Sequence, residues 1–327
     1  MCSVSLKVGA RPCHLLHLSP AGRGRAEGAG EGEPACREFF SPSPQPSPRW
    51  GEGARRARGY AVVLLTALLV SCSAGARELR VCADPNNLPF SNDRLEGFEN
   101  KIVAVVAREL DAAPTYTWWA QRRGFLRNTL KSGTCDLVPG TPSKMEMLRT
   151  TAPYYRSTYA FVTRTGALEI RSLDDPALRE LKIGVQLIGD DGSNTPPAHA
   201  LAQRGITQNV RGYSVYGDYR QDSPPARIIA GVAQGEIDVA IVWGPLAGYF
   251  ARRQPVSLRL AAVEPQIDGP GLPMAFDISM GVRKDDAALH DGIEAALARR
   301  RAEIADILRD YGVPLVERPA FQTGAAR

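Results

Sequence analysis

The chain has 327 residues, of which 44% are hydrophobic and 7% aromatic, so it is long enough for two globular domains with substantial cores. Its formal net charge is +5, but residues 1–76 hold nine Lys and Arg against five Asp and Glu, which leaves 31 against 30, or +1, for residues 77–327. A nucleic-acid-binding domain concentrates basic residues on one surface, so this balance argues against nucleic acid as a partner.

Residues 1–54 are rich in Gly, Pro, Ser and Arg and lack the apolar periodicity that a folded core requires. A linker or a disordered tail would have this composition. We favour a third interpretation, in which much of the segment is an extension upstream of the true start of translation. Sequencing the native N-terminus would test this interpretation, and finding residues 1–49 intact would refute it.

Residues 55–76 have the parts of a secretory signal peptide. Three arginines precede an apolar run at 60–70, and small residues follow it. Eleven residues are too few for a membrane-spanning helix, which needs about 20. Cleavage after Ala76 would release a soluble periplasmic protein, which we favour. Residues 69–72 resemble a bacterial lipobox, and that alternative would leave Cys72 lipidated and the protein attached to a membrane.

The first folded unit begins with LRVCADPNNLPF at 79–90. The apolar start predicts a buried strand, and the Asp-Pro-Asn-Asn that follows ends it, because proline lacks a donor and Asn and Asp favour turns. After Gly97, apolar residues recur at helical spacing, which predicts a helix. Ligands of open α/β sheets bind at the carboxyl ends of strands, so we expect Asn86, Asn87 and Phe90 beside a ligand site.

Further strands and helices alternate along the chain, which predicts parallel α/β sheets. Strands are predicted at 115–119, 135–138, 181–186 and 236–243, and helices at 121–133, 198–203, 224–234, 244–253 and 285–311. Extended segments at 155–163 and near 276–282 predict that the chain crosses twice between two lobes, which is typical of a hinge around a central cleft. We place lobe 1 at 77–162 and 278–327, and lobe 2 at 163–277.

Two of the six cysteines, Cys82 and Cys135, lie in the predicted exported part of the chain, which indicates one disulfide. Cys82 ends the first strand and Cys135 begins another, so adjacent parallel strands would bring them close. The alternatives are two buried free thiols or a metal site. We expect no metal site, since His199 and His290 are near neither cysteine.

Several motifs resemble the type II periplasmic solute-binding proteins of ABC transporters, over residues 79 to about 312. These motifs are LRVCADPNNLPF, GFEN, LKSGTCDLV, APYY, LKIGVQ, GEIDVAIV and the closing paired helices. A narrower resemblance, to the quinoprotein-dehydrogenase-associated binding proteins, is carried by VCADPNNLPFSN, YTWWAQRRGFLRNTLKSGTCD and DVAIVWGPLAGYFA. Those proteins are encoded beside periplasmic PQQ-dependent methanol and alcohol dehydrogenases. The resemblance implies the two-lobed type II fold, export and association with such a dehydrogenase.

The chain departs from the amino-acid-binding members of that family at two charged positions. Those proteins hold the carboxylate of the ligand with an Arg in a Thr-Pro-Glu-Arg turn and its ammonium with an Asp, because a buried zwitterion needs charged partners. Here the turn reads TPSK, with Lys144 nearest the Arg, and Trp243 stands nearest the Asp. An amino acid is therefore a poor candidate for the ligand.

Ten residues are candidates for contact with a ligand or partner. They are Asn86, Asn87, Phe90, Glu99, Arg122, Arg123, Thr141, Arg156, Gln186 and Trp243. Asn86 and Asn87 have two alternatives, a bond into the cleft or a bond to their own turn backbone. Phe90 and Trp243 would either wall a pocket or pack in a core.

The charged candidates have structural alternatives as well. Glu99 fits a first-turn charge stabilised by the helix dipole, which we favour, or a cleft acid. Arg122 and Arg123 lie at a predicted helix start, where the dipole disfavours cations, so a purpose such as holding an anion or a partner is indicated. Arg156, on the first crossing segment, is interpreted in the same way, as a residue with a purpose such as holding an anion or a partner.

No enzyme signature is present. The sequence has no G-x-S-x-G elbow, residues 189–192 lack the Lys of a phosphate loop, and only two histidines follow residue 76. We therefore expect no catalysis and no cofactor. Asp190 and Asp191 are interpreted as solvated loop residues, with the binding of a cation through their oxygen atoms as the alternative.

Three functions are compared. The preferred one is an accessory factor that associates with a PQQ-dependent methanol or alcohol dehydrogenase and assists its maturation or activation. The alternative is a receptor that delivers a small organic solute to an ABC permease. A carrier of a metal or lanthanide is a third, which the sparse clustering of acidic residues disfavours.

Overall fold

The computed structural model describes residues 77–188, 194–215 and 218–318. Contacts divide the chain into two units, Met1–Ser71 and Cys72–Arg327, and every described residue lies in the second. The predicted extension, the signal peptide at 55–76, and Asp190 and Asp191 lie outside the described residues, so those interpretations stay predictions. No helix in the described ranges is long and apolar enough to cross a membrane.

The described residues form fourteen strands and seven α-helices. The strands are β1 (Arg77–Ala83), β2 (Asn86–Asn87), β3 (Ser91–Asn92), β4 (Ala112–Trp118), β5 (Leu137–Pro142), β6 (Arg149–Thr150), β7 (Tyr155–Arg164), β8 (Ile183–Leu187), β9 (Val210–Ser214), β10 (Val239–Trp243), β11 (Leu258–Ala262), β12 (Ile267–Asp268), β13 (Leu272–Pro273) and β14 (Ala275–Val282). The helices are α1 (Phe98–Glu109), α2 (Phe125–Asn128), α3 (Pro196–Gln203), α4 (Arg227–Gln234), α5 (Gly244–Ala251), α6 (Ala287–Arg299) and α7 (Arg301–Asp310).

Ten strands form one mixed sheet in the order β4–β1–β5–β14–β7–β10–β8–β9, with β6 beside β14 and β11 beside β7. The sets β4–β1–β5 and β10–β8–β9 are each parallel. Between them, β14 and β7 run antiparallel to each other and to their neighbours. These are the two predicted crossing segments. Two parallel α/β halves joined by two crossing strands confirm the predicted two-lobed α/β fold, while the residue boundaries of the lobes stay a prediction.

Each half of the sheet has its own hydrophobic core. In the first half, α1 packs its predicted stripe, including Phe98 and Ile102, against β1, β14 and the C-terminal helices. In the second half, two clusters cover the faces of β8 and β10, one around Phe161 and Ile183 and the other around Ile228. Trp243 and Phe276 pack against both the first core and the core around Phe161, so the two halves meet at the crossing strands.

The C-terminal stripe is helical, but it forms two helices where the sequence predicts one. The chain breaks helical geometry at Arg300 (φ −102°, ψ 19°) between α6 and α7. Arg299 and Arg300 both donate to the carboxylate of Glu109 at the end of α1, over 2.7 and 2.6 Å. No Gly or Pro lies at the break, and the apolar periodicity of the sequence continues through it. Leu289, Ile293, Leu297, Ile304 and Leu308 are all buried, as predicted.

The predicted disulfide joins Cys82 to Cys135, with their Cα atoms 5.4 Å apart. Val81 pairs with Leu137 in the parallel ladder of β1 and β5, which brings the two cysteines together as expected. The bridge lies in a small buried cluster with Phe125 and neighbouring apolar side chains. It therefore holds the carboxyl end of β1 against the start of β5.

Candidate functional site

A cavity of about 440 Å³ lies between the lobes, where strand ends from both halves of the sheet meet the crossing strands. Its walls come from the ends of β1, β5, β8 and β10, from α1, and from β7 and β14. Seven of the ten predicted site residues line it: Asn86, Asn87, Phe90, Glu99, Thr141, Gln186 and Trp243. The structure brings these residues together, and their roles in binding stay predictions.

The side chain of Asn86 closes one edge of the cavity by bonding to the opposite half of the molecule. Its Nδ2 donates to the carbonyl of Gln221 (2.8 Å), and its Oδ1 accepts from the N–H of Ser223 (3.1 Å). Asn87 stays on its own side, where its Nδ2 donates to Oε1 of Gln121 (3.1 Å). Both amides therefore bond to other segments of the chain instead of their own turn.

Asp84, which the sequence reasoning missed, organises the loop after β1. Its Oδ1 accepts from the N–H of Asn86 (2.9 Å), and its Oδ2 accepts from the N–H of Gln121 (2.6 Å) and from the hydroxyl of Tyr219. Burial, followed by the bond to Asp84, raises the pKa of Tyr219 well above its ordinary range, so the phenol stays protonated as a donor. Together with Asn86, this bond fastens the two halves across the mouth of the cavity.

Glu99 lies in the first turn of α1, and its side chain is only 9% exposed where it lines the cavity. Gly140 on β5 makes room for it, since a Cβ at that position would overlap Oε1 of Glu99. Among the described residues, none forms a hydrogen bond or ion pair with this carboxyl group. Burial, with a smaller contribution from the Asp84 carboxylate, raises the pKa of Glu99 to about 8. Glu99 is thus a cleft acid as well as a first-turn residue.

Aromatic rings also line the cavity. Trp243, at the end of β10, packs edge-on against Tyr159 and Phe276, with ring centroids 5.5 and 5.8 Å apart. Phe90 packs against the buried Phe98 at 5.4 Å. The two candidates Phe90 and Trp243 therefore do both things that the sequence left open: they line the cavity and pack against a core.

Gln186 and Thr141 supply polar atoms to the cavity from two strand ends. Oε1 of Gln186 accepts from the N–H of Trp243 over 3.4 Å, and its carbonyl accepts from the hydroxyl of Thr195 over 2.6 Å. The Thr141 hydroxyl donates to the carbonyl of Pro142 over 2.9 Å. These bonds orient the side chains and backbone at the ends of β5 and β8.

Arg122 and Arg123 lie outside the cavity, in a surface groove that also contains Arg127, Lys131 and Met147. The Arg122 guanidinium stacks 4.8 Å from the ring centre of Tyr219. The predicted helix at 121–133 is shorter in the structure, because only Phe125–Asn128 are helical and both arginines precede it. We call the set Arg122, Arg123, Arg127, Lys131 and Met147 the basic groove.

Arg156 also lies outside the cavity. Its Nη1 pairs with Asp277 (3.2 Å) on the neighbouring crossing strand, and its Nη2 donates to Oε1 of Gln266 (2.9 Å). Asp277 pairs in addition with Arg318 (2.6 Å). The structure therefore gives Arg156 partners within the chain, on the far face of the crossing strands.

The charged side chains among the described lining residues are both acidic, Asp84 and Glu99. No Lys, Arg or His of the described residues lines the cavity. Lys144, which stands nearest the family's carboxylate-binding Arg, is exposed and does not reach it. The described part of the cavity wall therefore offers aromatic faces, amides, hydroxyls and carboxyl groups, and no cation for an anionic ligand.

Residues 79–313 match the bacterial extracellular solute-binding proteins, family 3. The chain belongs to this family. It is 34% identical to the protein MoxJ of Methylorubrum extorquens over 254 aligned residues. The alignment covers 74% of this chain and 82% of MoxJ. This family membership and this relative confirm the resemblance that the sequence motifs indicated.

Two solved structures of the family match the fold. The crystal structure of MxaJ from Methlophaga aminisulfidivorans MPT superposes with a TM-score of 0.64 at 27% identity, covering 73% of this chain and all of MxaJ. The periplasmic binding protein XoxJ from Methylobacterium extorquens AM1 superposes with a TM-score of 0.60 at 37% identity, covering 73% of this chain and all of XoxJ. The two-lobed fold of this family member therefore agrees with those of experimentally determined relatives.

Several residues that line the cavity were not predicted from the sequence. Tyr155, Tyr159 and Phe276 lie on the crossing strands, whose long apolar runs are typical of core. Tyr219 lies in an irregular segment, and its pattern offers no signal. Asp84 could have been found, because it directly follows β1 and lies at the same strand end as Asn86.

Proposed function

We propose that the chain is an exported, non-catalytic binding protein that associates in the periplasm with a PQQ-dependent methanol or alcohol dehydrogenase and assists its maturation or activation. The similarity to MoxJ, MxaJ and XoxJ supports this proposal, since the motifs that the chain shares with the quinoprotein-dehydrogenase-associated proteins imply that association. The signal peptide predicted at 55–76 supports the periplasmic location.

The observation that carries the proposal is the charge of the cavity. A receptor for amino acids must supply a cation for the carboxylate of its ligand, because an unpaired buried charge costs several kcal/mol. The described lining residues include Asp84 and Glu99 and no basic side chain. The described walls therefore offer no charge partner for a carboxylate, which separates this chain from amino-acid receptors of the same fold.

A role without catalysis is supported by the positions of reactive side chains. Nε2 of His199 accepts from the N–H of Asn194, and Nδ1 of His290 bonds to Asp291. Neither histidine lines the cavity, and the described residues contain no group of three or more side chains suited to hold a metal ion. The proposal therefore assigns binding to the chain and leaves the chemistry to its partner.

The basic groove is the surface that we propose for the dehydrogenase. Four cationic side chains line it together with apolar ones, and Met147 is 49% exposed. A groove that combines cationic and apolar side chains is complementary to an acidic surface that also has apolar side chains. The groove shares Gln121 and Thr141 with the cavity, so a partner there would cover one wall of the site.

A deletion strain tests the proposal. The strain should lose dehydrogenase activity during growth on the alcohol, and the wild-type gene should restore it. The double variant Arg122→Glu with Arg123→Glu should restore activity poorly, whereas Arg171→Glu with Arg179→Glu, which reverses two arginines away from the groove, should restore it fully. Normal dehydrogenase activity in the deletion strain would contradict the proposal.

A second function, delivery of a small organic solute to a permease, is supported by the cavity itself. A volume of about 440 Å³ lies within the range of small-molecule sites, and Asn86 and Tyr219 fasten its mouth. A solute that binds the folded state would raise the melting temperature by mass action. Growth that depends on both this chain and a permease would favour this second function over the accessory role.

A further inference from the structure

The described walls of the cavity combine aromatic rings with carboxyl groups. Six aromatic side chains line it: Phe90, Tyr155, Tyr159, Tyr219, Trp243 and Phe276. The face of an aromatic ring carries partial negative charge, so rings attract cations and do not attract anions. The rings and the carboxyl groups therefore both favour a positively charged ligand.

Of the two acids, Asp84 is already occupied within the chain. Its carboxylate accepts hydrogen bonds from Asn86, Gln121 and Tyr219. Glu99 is different, because it is about nine-tenths buried, lines the cavity and has no hydrogen-bond or ion-pair partner among the described residues. A buried carboxyl group without a partner is costly once it ionises, so its partner is expected from outside the chain.

The described groups that face Glu99 cannot supply the positive charge that would pair with its carboxylate. Asp84 faces it from the loop after β1, Tyr155 from β7, and Tyr154 from the position just before β7. Tyr116 faces it from β4. Burial raises the pKa of all three tyrosines, so they stay neutral, and Gly140 on β5 contributes no side chain. The surroundings of Glu99 are therefore neutral or acidic.

We infer that the cavity is a binding site for a small organic cation of the ammonium type, with Glu99 as its charge partner and the rings around Trp243 as its aromatic wall. A bare metal ion fits less well, because hard cations require six or more oxygen ligands, mostly carboxylates and carbonyls, whereas the described walls supply two carboxyl groups among many ring faces. An organic ammonium ion needs only one close carboxylate together with aromatic faces. This inference deepens the proposed binding function by naming a ligand class.

Ionisation of Glu99 gives the site a characteristic pH dependence. Because the pKa of Glu99 is raised to about 8, the free protein holds a proton there at neutral pH, and binding of a cation must release it. Below pH 8 the affinity for a cation should therefore rise about tenfold per pH unit, and above pH 8 it should level off. A neutral ligand that accepted a hydrogen bond from protonated Glu99 would show the opposite trend.

Calorimetric titration of the isolated mature protein tests the inference, with choline as the probe. The uncharged comparison is dimethylbutanol, in which carbon replaces the quaternary nitrogen. We expect choline to bind at least tenfold more tightly than dimethylbutanol at pH 8, and tenfold more weakly at pH 6 than at pH 7. Glu99→Gln should reduce choline affinity at least tenfold and remove the pH dependence, whereas the exposed control Glu180→Gln should change neither.

Equal affinity for the two probes, or no binding of choline at millimolar concentration, would overturn the inference. Choline binding that Glu99→Gln leaves unchanged would overturn the role of Glu99. If Glu99→Gln does not fold, the pH dependence of the wild-type protein decides the question by itself. The titration uses no dehydrogenase, so its failure leaves the proposed association standing and can be distinguished from failure of that proposal.

Discussion

The buried carboxyl group of Glu99 makes the stability of the protein depend on pH in a specific direction. In the unfolded chain this group titrates near 4.5, whereas burial raises its pKa to about 8 in the folded protein. Between these values the unfolded state loses the proton and the folded state keeps it. Rising pH therefore favours unfolding, and the contribution of Glu99 is fully present below pH 4.5 and is lost as pH rises to about 8.

The size of this effect follows from the difference between the two pKa values. Each unit corresponds to about 1.4 kcal/mol, so wild-type protein should lose roughly 4 kcal/mol from this group between pH 5 and pH 8. Glu99→Gln removes the titration and keeps the shape of the side chain. The free energy of unfolding of Glu99→Gln, relative to wild type, should therefore increase by roughly 4 kcal/mol over this range.

Urea denaturation at constant ionic strength, at pH 5, 6, 7 and 8, measures this difference. All other titrating groups are common to both proteins, so they cancel when the curves are subtracted. Glu180→Gln, at an exposed position, should follow the wild-type curve throughout. Parallel curves for wild type and Glu99→Gln would refute the reasoning, since they would mean that Glu99 keeps the same pKa on folding.

Three further changes test the fold and the mouth of the cavity. Replacing Cys82 and Cys135 by Ser opens a bridge across a sequence separation of 53 and should lower the free energy of unfolding by about 4 kcal/mol, measured by urea denaturation. Gly140→Ala should push the Glu99 carboxyl out of its place, destabilise the protein by about 1–3 kcal/mol and weaken its pH dependence. Asn86→Ala should cost about 1–2 kcal/mol and open the lobes, seen as a larger radius of gyration in X-ray scattering.

Matched controls separate these effects from general damage. Reduced wild-type protein should match the Cys→Ser protein, and equal stability of oxidised and reduced wild type would contradict the contribution of the bridge. Asn87→Ala removes a bond within one half of the molecule and should leave the scattering unchanged. An unaltered radius of gyration in Asn86→Ala would show that its two bonds do not hold the mouth closed. Wild-type pH dependence in Gly140→Ala would contradict the contact with Glu99.

The fold could be predicted from the sequence because its signals are local. Buried strands end in Pro, Gly and Asn turns, helices show apolar stripes, and the two crossing segments appear as extended runs out of the α/β pattern. The disulfide followed from two cysteines at the ends of strands that pair in parallel. The break at Arg300 could not be predicted, because no Gly or Pro marks it in the sequence; in the structure Arg300 pairs with Glu109 of a distant helix.

The site was predictable only where it coincides with strand ends. Asn86, Phe90, Gln186 and Trp243 were found in this way, and the structure brings them into one cavity. Glu99 lies in the first turn of its helix, as predicted, but nothing in that helix shows that Gly140 on another strand leaves space for its carboxyl group beside the cavity.

The arginines show the opposite limit of sequence reasoning. Their charge at a predicted helix start and on a crossing strand suggested contact with a ligand or partner. Whether a side chain lines the cavity depends on the direction in which it points, which the sequence does not show. Arg122 and Arg123 line the neighbouring groove, and Arg156 pairs with Asp277 on the far face of the crossing strands. Tertiary contacts of this kind leave no periodic pattern in the sequence.

Affinity purification of the tagged mature protein, from the periplasm of its own organism grown on an alcohol, tests the central proposal most directly. Bound proteins and released small molecules would be identified together, with the Arg122→Glu, Arg123→Glu double variant as the matched control. We expect recovery of a PQQ-dependent dehydrogenase subunit with the wild-type protein and its loss with the double variant. Recovery of a stoichiometric small solute without any dehydrogenase subunit would contradict the accessory role and favour a transport receptor.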